Sequence, residues 1–417
     1  MNQTRKGILI ALVEDAFFEA KLQELINLCQ TINIEISHVI TQALKERKSG
    51  LIGKGKIAEI LDRQLEFDVI ITYQPLSPLD IRVLSDAFDC EVYDKTRVIL
   101  QIFAIRAQSK LSKLEVALAN AVIKRDELVG SYSQYSRQAG SSGAMSARGG
   151  GEQQLQIDRR VINRAISKFK REIKKEYQKQ LIKKKKQKEQ GIFTVALVGY
   201  TNAGKSTLMN QLLQLSQTNK SHKQVLSQDQ VFSSLDTTTR HISIDTYPTF
   251  LCVDTVGFII DLPTECVASF NSTLTSISEV DCVCIVLDGT YSLSMQLETI
   301  EPYLNEIDSH QRVTVVNKKD EMVDNHTPYL AISAKHNIGI EQLLNKIKQI
   351  KISQYIYKEG YCQDYHVFEF YKHVDYIYIQ SINEKNGTTY IKVYCDPKVQ
   401  YLFEYIKSTI DELQMIS

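Results

Sequence analysis

The sequence predicts an α/β protein: two α/β domains separated by a long antiparallel helical hairpin, with a small α+β module after the second. Three observations carry this. Short apolar strand segments alternate with helix-period segments over residues 7–95 and again over 192–350, the pattern of mostly parallel sheets with helices on both faces. Between them lie two long stretches whose apolar residues step by three and four, the spacing of a helical packing seam. After residue 350 the strand-like runs are short and closely spaced. A chain of 417 residues exceeds one ordinary core and fits roughly two to four domains. The divisions expected are 1–95, 96–190 with a tip at 130–151, 191–350 and 351–417.

In the first domain, Ile8–Val13, Ile34–Ile40, Val69–Thr72 and Glu91–Tyr93 read as strands, and Ala16–Leu28, Lys56–Leu65 and Pro78–Phe88 as helices. The loop Gly50-Leu51-Ile52-Gly53-Lys54-Gly55-Lys56 precedes a helix and could hold a phosphate at its N-terminus; a plain tight loop is the alternative. From Lys95 to Leu128 the pattern reads as one long helix without Gly or Pro, in which Leu114, Leu118, Ala121, Arg125 and Leu128 form the seam. Gly130–Gly151 is rich in Gly and Ser and contains Arg137 and Arg148, so a long flexible connection is expected there. The second long helix carries Ile162, Ile166, Phe169, Ile173, Tyr177 and Leu181 as its seam. Two such helices with a connection describe an antiparallel hairpin. Past residue 350, Tyr365–Tyr371, Tyr376–Ile382 and Thr388–Tyr394 read as strands and Pro397–Leu413 as a last helix.

Bulk composition excludes several classes. Apolar content of 43% and charged content of 24% are those of a soluble globular protein. The longest apolar runs, such as Gly7–Val13 and Val283–Leu287, are far short of the ~18 residues that span a bilayer. The N-terminus reaches Glu14 and Asp15 without a small-residue cleavage site, so it reads as a first strand rather than a signal peptide. Eight cysteines are scattered with no CxxC pair, and Cys282 and Cys284 read as buried thiols. These features point to the cytoplasm. Net charge is +1, but Gly151–Gln190 holds 14 Lys/Arg against 5 Asp/Glu, a local +9. Such asymmetry is a partner signal; a solvated helix face is the plainer reading.

The chemistry is concentrated in the second α/β domain. Strand Ile192–Val198 leads into Gly199-Tyr200-Thr201-Asn202-Ala203-Gly204-Lys205-Ser206 and then a helix, which is the P-loop in its required context. The two glycines let backbone N–H groups approach phosphate oxygens. Lys205 adds charge at the β/γ-phosphates, and the Ser206 hydroxyl can ligate Mg²⁺. Asn317-Lys318-Lys319-Asp320 follows the strand Val313–Val316, at the edge where open parallel sheets bind ligands. A carboxylate there accepts from both guanine N1–H and its exocyclic amine, whereas adenine presents a lone pair instead. Ser333-Ala334-Lys335 after the next strand supplies a further guanine contact. Asp254-Thr255-Val256-Gly257 ends a strand. Asp254 is positioned to hold the metal through water, and the Gly257 N–H can sense the γ-phosphate. Upstream, the polar segment around Phe232-Ser233-Ser234-Leu235-Asp236 suits a first switch, with Ser234 and Thr238 as candidate metal ligands.

The set GYTNAGKSTL, FSSLDTTTR, DTVGF, NKKD and SAK resembles the G domain of HflX-type GTPases, in the Obg–HflX group. DKTRVILQIFAIRAQSKLSKLEVALA and ARGGGEQQLQIDRRVINRAISKFKREI resemble that family's helical hairpin, and GLIGKGKIAEI part of its N-terminal domain; together these cover roughly residues 50–340. The resemblance implies a P-loop GTPase domain, phosphate contacts from Gly199 to Ser206, switch contacts from Phe232 to Asp236, and Mg²⁺ held by Ser206 and Ser234. The family generally has Thr where this chain has Ser234, and Ser lacks the methyl that restrains the rotamer. The stretch Leu215–Gln230 is also longer and more polar than the pattern leads one to expect.

Hydrolysis needs something to orient the attacking water. Phe258 stands where many GTPases place Gln, so the catalytic set reads as Lys205, Gly257 and a phenyl ring unable to bond water, and slow turnover that a partner accelerates is expected. Arg137, Arg148, Arg159 and Arg160 on the basic hairpin suit RNA phosphates and unpaired bases. The resemblance further implies binding to the large ribosomal subunit and its rRNA and rescue or splitting of stalled ribosomes under stress. A monomer is expected, with transient membrane association at most and no transmembrane segment. Two alternatives stay open: a GTPase switch with a protein partner only, and an rRNA-remodelling enzyme with a second nucleotide site at Gly50–Lys56.

Overall fold

A computed structural model of the chain describes residues 4–13, 18–42, 51–138, 146–190, 192–216, 238–244, 247–255, 257–258, 280–305, 311–322, 326–385 and 388–409. The described residues form two compact units that meet in the chain between Gln180 and Leu181. No described helix is long and apolar enough to cross a membrane.

The first unit opens with β1 (Arg5–Leu12), α1 (Phe18–Thr31), β2 (Ile34–Gln42), α2 (Lys54–Asp62), β3 (Val69–Thr72), α3 (Pro78–Phe88), β4 (Glu91–Asp94) and α4 (Lys95–Arg106). The four strands make one parallel sheet in the order β2-β1-β3-β4. Every residue of β3 is buried, as a strand covered on both faces must be. Local signals set the helix starts: the Ser77 hydroxyl accepts from the Asp80 N–H while Asp80 bonds back, with Pro78 in the first turn.

The single helix expected from Lys95 to Leu128 is two. α4 ends at Arg106, and α5 (Lys110–Gln138) starts after Ser109, whose Oγ accepts from the Ser112 N–H at 3.0 Å. A hydroxyl that satisfies a first-turn donor begins a new helix, which Gly/Pro counting misses. α6 (Ser146–Gln190) returns antiparallel to α5, since the Lys110 ammonium lies 2.9 Å from Glu176. Ile166 on the expected seam is buried, whereas Leu181 is exposed. Part of the tip expected at 130–151 is helical instead: α5 runs through Gly130 and α6 includes Gly149–Gly151, so Arg137 and Arg148 are helical, and residues 139–145 lie outside the described residues. Each Gly weakens a helix by about 1 kcal/mol relative to Ala, less than a long helix already nucleated can carry.

The second unit continues with β5 (Thr194–Gly199), α7 (Lys205–Leu215), β6 (Thr238–Ile244), β7 (Tyr247–Asp254), β8 (Cys282–Asp288), α8 (Leu293–Asn305), β9 (Gln311–Asn317), β10 (Leu330–Ala331) and α9 (Ile340–Ser353). Its six strands run in the order β10-β9-β8-β5-β7-β6. All pair in parallel except edge strand β6, antiparallel to β7. β5 and β8 are central, and Cys282 and Cys284 lie buried in β8 with their thiols free, burial pushing Cys282 up to about 12.

The last segment comprises β11 (Ile356–Gln363), α10 (Asp364–Lys372), β12 (Ile377–Lys385), β13 (Thr388–Cys395) and a 3₁₀ helix (Pro397–Tyr405), with an antiparallel sheet ordered β11-β13-β12. Two expectations fail here. Tyr365–Tyr371 is helical, burying Val367 and Phe370 one turn apart while Tyr365, Phe368 and Tyr371 face solvent. Its aromatic content imitates a strand, but the buried period is that of a helix. The strand is Ile356–Gln363, where Gly360 conceals it; a Cβ there would meet the Lys407 carbonyl oxygen at 2.3 Å. The helix expected to Leu413 is a 3₁₀ helix ending at Tyr405, and residues 410–417 lie outside the described residues.

Candidate nucleotide site

The site is assembled at the C-terminal edge of the second unit's sheet from four loops. Gly199 closes β5 where β8 passes so near that a Cβ would lie 2.0 Å from the Val286 carbonyl oxygen. The chain then turns through Asn202 (φ 61°) and Gly204 (φ 85°) into α7. Lys205 is buried, and its ammonium donates to the carbonyls of Gly199 at 3.0 Å and Tyr200 at 2.7 Å. Burial pushes its pKa down to about 8, partly opposed by the Asp254 charge. The helix N-terminus, the backbone N–H groups of the turn and this cation together make an anion cradle.

Behind the cradle, the Ser206 hydroxyl donates to Asp254 Oδ2 at 2.7 Å, and Thr255 Oγ1 donates to the Leu197 carbonyl at 2.7 Å. Thr238 pairs directly with Asp254 across β6 and β7, so their side chains share one face of the sheet. Thr238 Oγ1 is buried without a hydrogen-bond partner among the described residues. Two hydroxyls and a carboxylate on one face are a hard-oxygen set of the kind Mg²⁺ takes. Residues 232–236, which include Ser234, and Val256 lie outside the described residues.

Gly257 sits against the cradle: a Cβ there would be 2.8 Å from Thr201 Cα and 2.9 Å from the Lys205 ammonium. Phe258 behaves differently from what its position suggested. Its N–H donates to the Gly199 carbonyl at 3.0 Å and its carbonyl accepts from the Thr201 N–H at 2.9 Å. The ring is buried, 5.1 Å from the Tyr303 ring, in a cluster with Val198, Ile285, Leu287 and Ile300. Phe258 is therefore a packing residue that ties the Gly257 segment to the P-loop turn by its backbone. Phe258→Gln is expected to lose about 3 kcal/mol of stability by burying an amide in that cluster, and to leave single-turnover GTP hydrolysis no faster. Denaturant unfolding and a hydrolysis time course read both.

On the far side, Asn317 is buried at the end of β9 and joins two loops. Its Nδ2 donates to the Ala203 carbonyl and its Oδ1 accepts from the Ala334 N–H, both at 2.9 Å. The same amide explains Gly204, where a Cβ would approach Nδ2 to 2.2 Å. Lys318 takes a left-handed φ of 63° and its ammonium lies 2.7 Å from Asp288 Oδ2. The Lys319 N–H donates to the Ile332 carbonyl at 2.9 Å, which sets the loop's exit. The Asp320 side chain is 20% exposed. A bond from the Ser333 hydroxyl, then the charges of His336 and Lys335, holds its carboxyl below the usual carboxylate range despite some desolvation. The expected Ser333-Ala334-Lys335 stretch thus meets both Asn317 and Asp320.

Sequence reading missed two contributors. Asp288 ends β8 and holds Lys318, and buried Gln296 on α8 exchanges bonds of 2.8 Å with the Asp288 backbone. Asp288-Gly289 directly after a fully apolar strand was the available signal. Elsewhere, Arg159 and Arg160 are exposed on α6. At the Gly50–Lys56 loop, Lys56 is paired with Glu59 at 2.9 Å and Gly53 caps α2 without a side-chain bond.

Comparison with known proteins divides the chain in three. Residues 19–104 match the family described as GTP-binding GTPase N-terminal, 106–187 the GTP-binding GTPase Middle Region, and 194–318 the 50S ribosome-binding GTPase. The GTPase HflX of Alkalihalophilus pseudofirmus is 36% identical over 351 residues, covering 82% of this chain and 79% of its own. That of Escherichia coli is 33% identical over 352 residues, covering 79% and 78%. A solved GTP-binding protein from Sulfolobus solfataricus in complex with GDP aligns with a TM-score of 0.45 at 20% identity, covering 84% of this chain and 99% of that one.

Proposed function

Because the chain belongs to the HflX family of GTPases, we propose that it is a GTP-controlled factor of the large ribosomal subunit that acts on stalled ribosomes. It binds GTP and hydrolyses it to GDP and phosphate. In our reading the turn from Gly199 to Ser206 wraps the phosphates, with the Lys205 ammonium leaving its two carbonyls for the β/γ-phosphate oxygens. Asp320 accepts from guanine N1–H and the exocyclic amine, with the Ser333–Lys335 loop beside the base. Ser206, Asp254 and a switch hydroxyl, Ser234 or Thr238, would hold Mg²⁺. When bound, Mg²⁺ neutralises charge on the phosphate tail. Gly257 lies beside Lys205, so a γ-phosphate there would meet its N–H and pull on the segment that Phe258 ties to the P-loop.

No described side chain of the Gly257 segment can hold the attacking water, because the Phe258 ring lies in the core. Turnover therefore waits for a partner that orders the switches. The observation favouring an RNA partner is α6, whose basic sequence presents Arg159 and Arg160 to solvent. Arginine on an exposed helix suits phosphate and unpaired bases. The match to a family described as 50S ribosome-binding GTPase supports the large subunit. In this reading the chain works in the cytoplasm.

Sedimentation with purified large subunits tests the proposal. Association is expected with a non-hydrolysable GTP analogue and not with GDP. The double variant Arg159→Glu/Arg160→Glu should weaken it at least about tenfold while GDP affinity stays unchanged, as removing phosphate contacts dictates. Equal pelleting with either nucleotide, or an undiminished double variant, would contradict it.

A further inference from the structure

The loop that carries Ser333 also brings a histidine to the carboxylate assigned to the base. Ser333 and Ile338 exchange two backbone hydrogen bonds, of 2.9 and 3.0 Å, closing a tight turn in which Asn337 has a left-handed φ of 57°. Inside it the His336 N–H donates to the Ser333 hydroxyl at 3.2 Å. The imidazole ends with Nε2 3.4 Å from Asp320 Oδ2, its side chain 52% exposed. One oxygen of Asp320 is thus already engaged by this turn.

Guanine asks for both oxygens of that carboxylate at once, because its two donors lie side by side. An imidazole 3.4 Å from Oδ2 stands in the way of the second bond. We propose that His336 is an internal competitor of guanine for Asp320, swinging aside when the base enters and holding harder when protonated. The proposal rests on Asp320 being the base reader. A site blocked for part of the time binds with an affinity reduced by the unblocked fraction. Histidine is the side chain whose charge changes between about pH 5 and 8, so the blocked fraction grows as pH falls.

Of the other charged groups around the pair, Lys335 lies on the same turn, and Lys318, Lys319 and Glu321 lie on the loop after β9, with Lys318 engaged by Asp288. Asp320 itself is held below the usual carboxylate range and stays ionised. The place of His336 half in solvent lets Gln replace it without disturbing the turn, whose closing bonds are made by backbone atoms.

The test is equilibrium binding of N-methylanthraniloyl-GDP to the full chain between pH 5.5 and 8.0. Wild type, His336→Gln and Asp320→Asn are compared, the last also with xanthosine diphosphate. His336→Gln is expected to bind GDP about fivefold to tenfold more tightly than wild type at the acid end, the two curves converging towards pH 8 as the competitor loses its charge. Asp320→Asn is expected to favour xanthosine diphosphate, whose carbonyl replaces the exocyclic amine. Wild-type and His336→Gln curves that run together at every pH, with the xanthosine preference present, would overturn the role of His336 alone. A retained GDP preference in Asp320→Asn would remove the base assignment and this inference with it.

Discussion

Asn317→Ala is expected to weaken GDP binding about thirtyfold, the equivalent of about 2 kcal/mol, and to lower stability by about 2–4 kcal/mol. The side chain makes one bond to the P-loop carbonyl of Ala203 and one from the Ala334 N–H, both buried. Truncation leaves a carbonyl and an N–H without partners, each at a full desolvation cost. It also frees the phosphate loop from the base loop, so the binding-competent arrangement becomes a fraction of the population. Calorimetric titration with GDP and urea unfolding measure the two effects. An affinity within twofold of wild type would mean that the loops are held in register by something other than this amide.

Lys351→Ala is expected to cost about 3 kcal/mol and to split thermal unfolding into two transitions. Lys351 lies on α9, fully buried, where its ammonium donates to the Thr249 carbonyl on β7 and to the Asp375 carbonyl at 3.2 Å. The Asp375 carboxylate in turn lies 2.8 Å from His241 Nε2 on β6 and accepts from Thr249 Oγ1 at 3.0 Å. These bonds fasten the C-terminal module to the edge of the GTPase sheet at β6 and β7. Removing the ammonium leaves one buried and one half-buried carbonyl unmet and the module attached by fewer bonds.

The pH dependence has a definite sign. Burial pushes the Lys351 pKa down to about 8, which the charges of Asp375, Asp396 and Asp281 only partly oppose. The folded chain then holds fewer protons than the unfolded one above that pH, so stability from this group rises from about pH 8 towards the ordinary lysine value near 10.5. Asp375 acts oppositely: bonded to His241, its carboxyl is held low, and its contribution is lost as pH falls through the carboxylate range. The gap between wild type and Lys351→Ala should accordingly widen from pH 8 to 10. A gap that narrows would show that the fold raises the lysine pKa instead of lowering it.

Much of this was legible before the structure. Glycines and a lysine at fixed spacing after an apolar strand specify a phosphate loop, because few other arrangements bring several N–H groups to one anion. NKKD and SAK were legible as neighbouring loops by their places after successive strands, and the Asn317–Ala334 bond joins them. Asn317, however, reads in sequence as the first letter of a motif, while in the fold it is the bolt between two loops separated by more than a hundred residues. Phe258 was legible as a missing glutamine, but not as a core residue, since burial depends on Tyr303 and β8 arriving from elsewhere. The helix at Asp364–Lys372 was misjudged because aromatic residues suit both a strand and one side of a helix. Residues 130–138 and 146–151 were read as part of a loop because glycine weakens helices locally, whereas they belong to α5 and α6.

Single-turnover hydrolysis of GTP, with and without purified large ribosomal subunits, tests the central claim most directly. With Phe258 buried and no described side chain of the Gly257 segment to orient water, hydrolysis should be slow alone and accelerate by at least about a hundredfold on the subunit, as when a partner completes a phosphoryl-transfer site. Equal rates with and without subunits, fast in both cases, would contradict it.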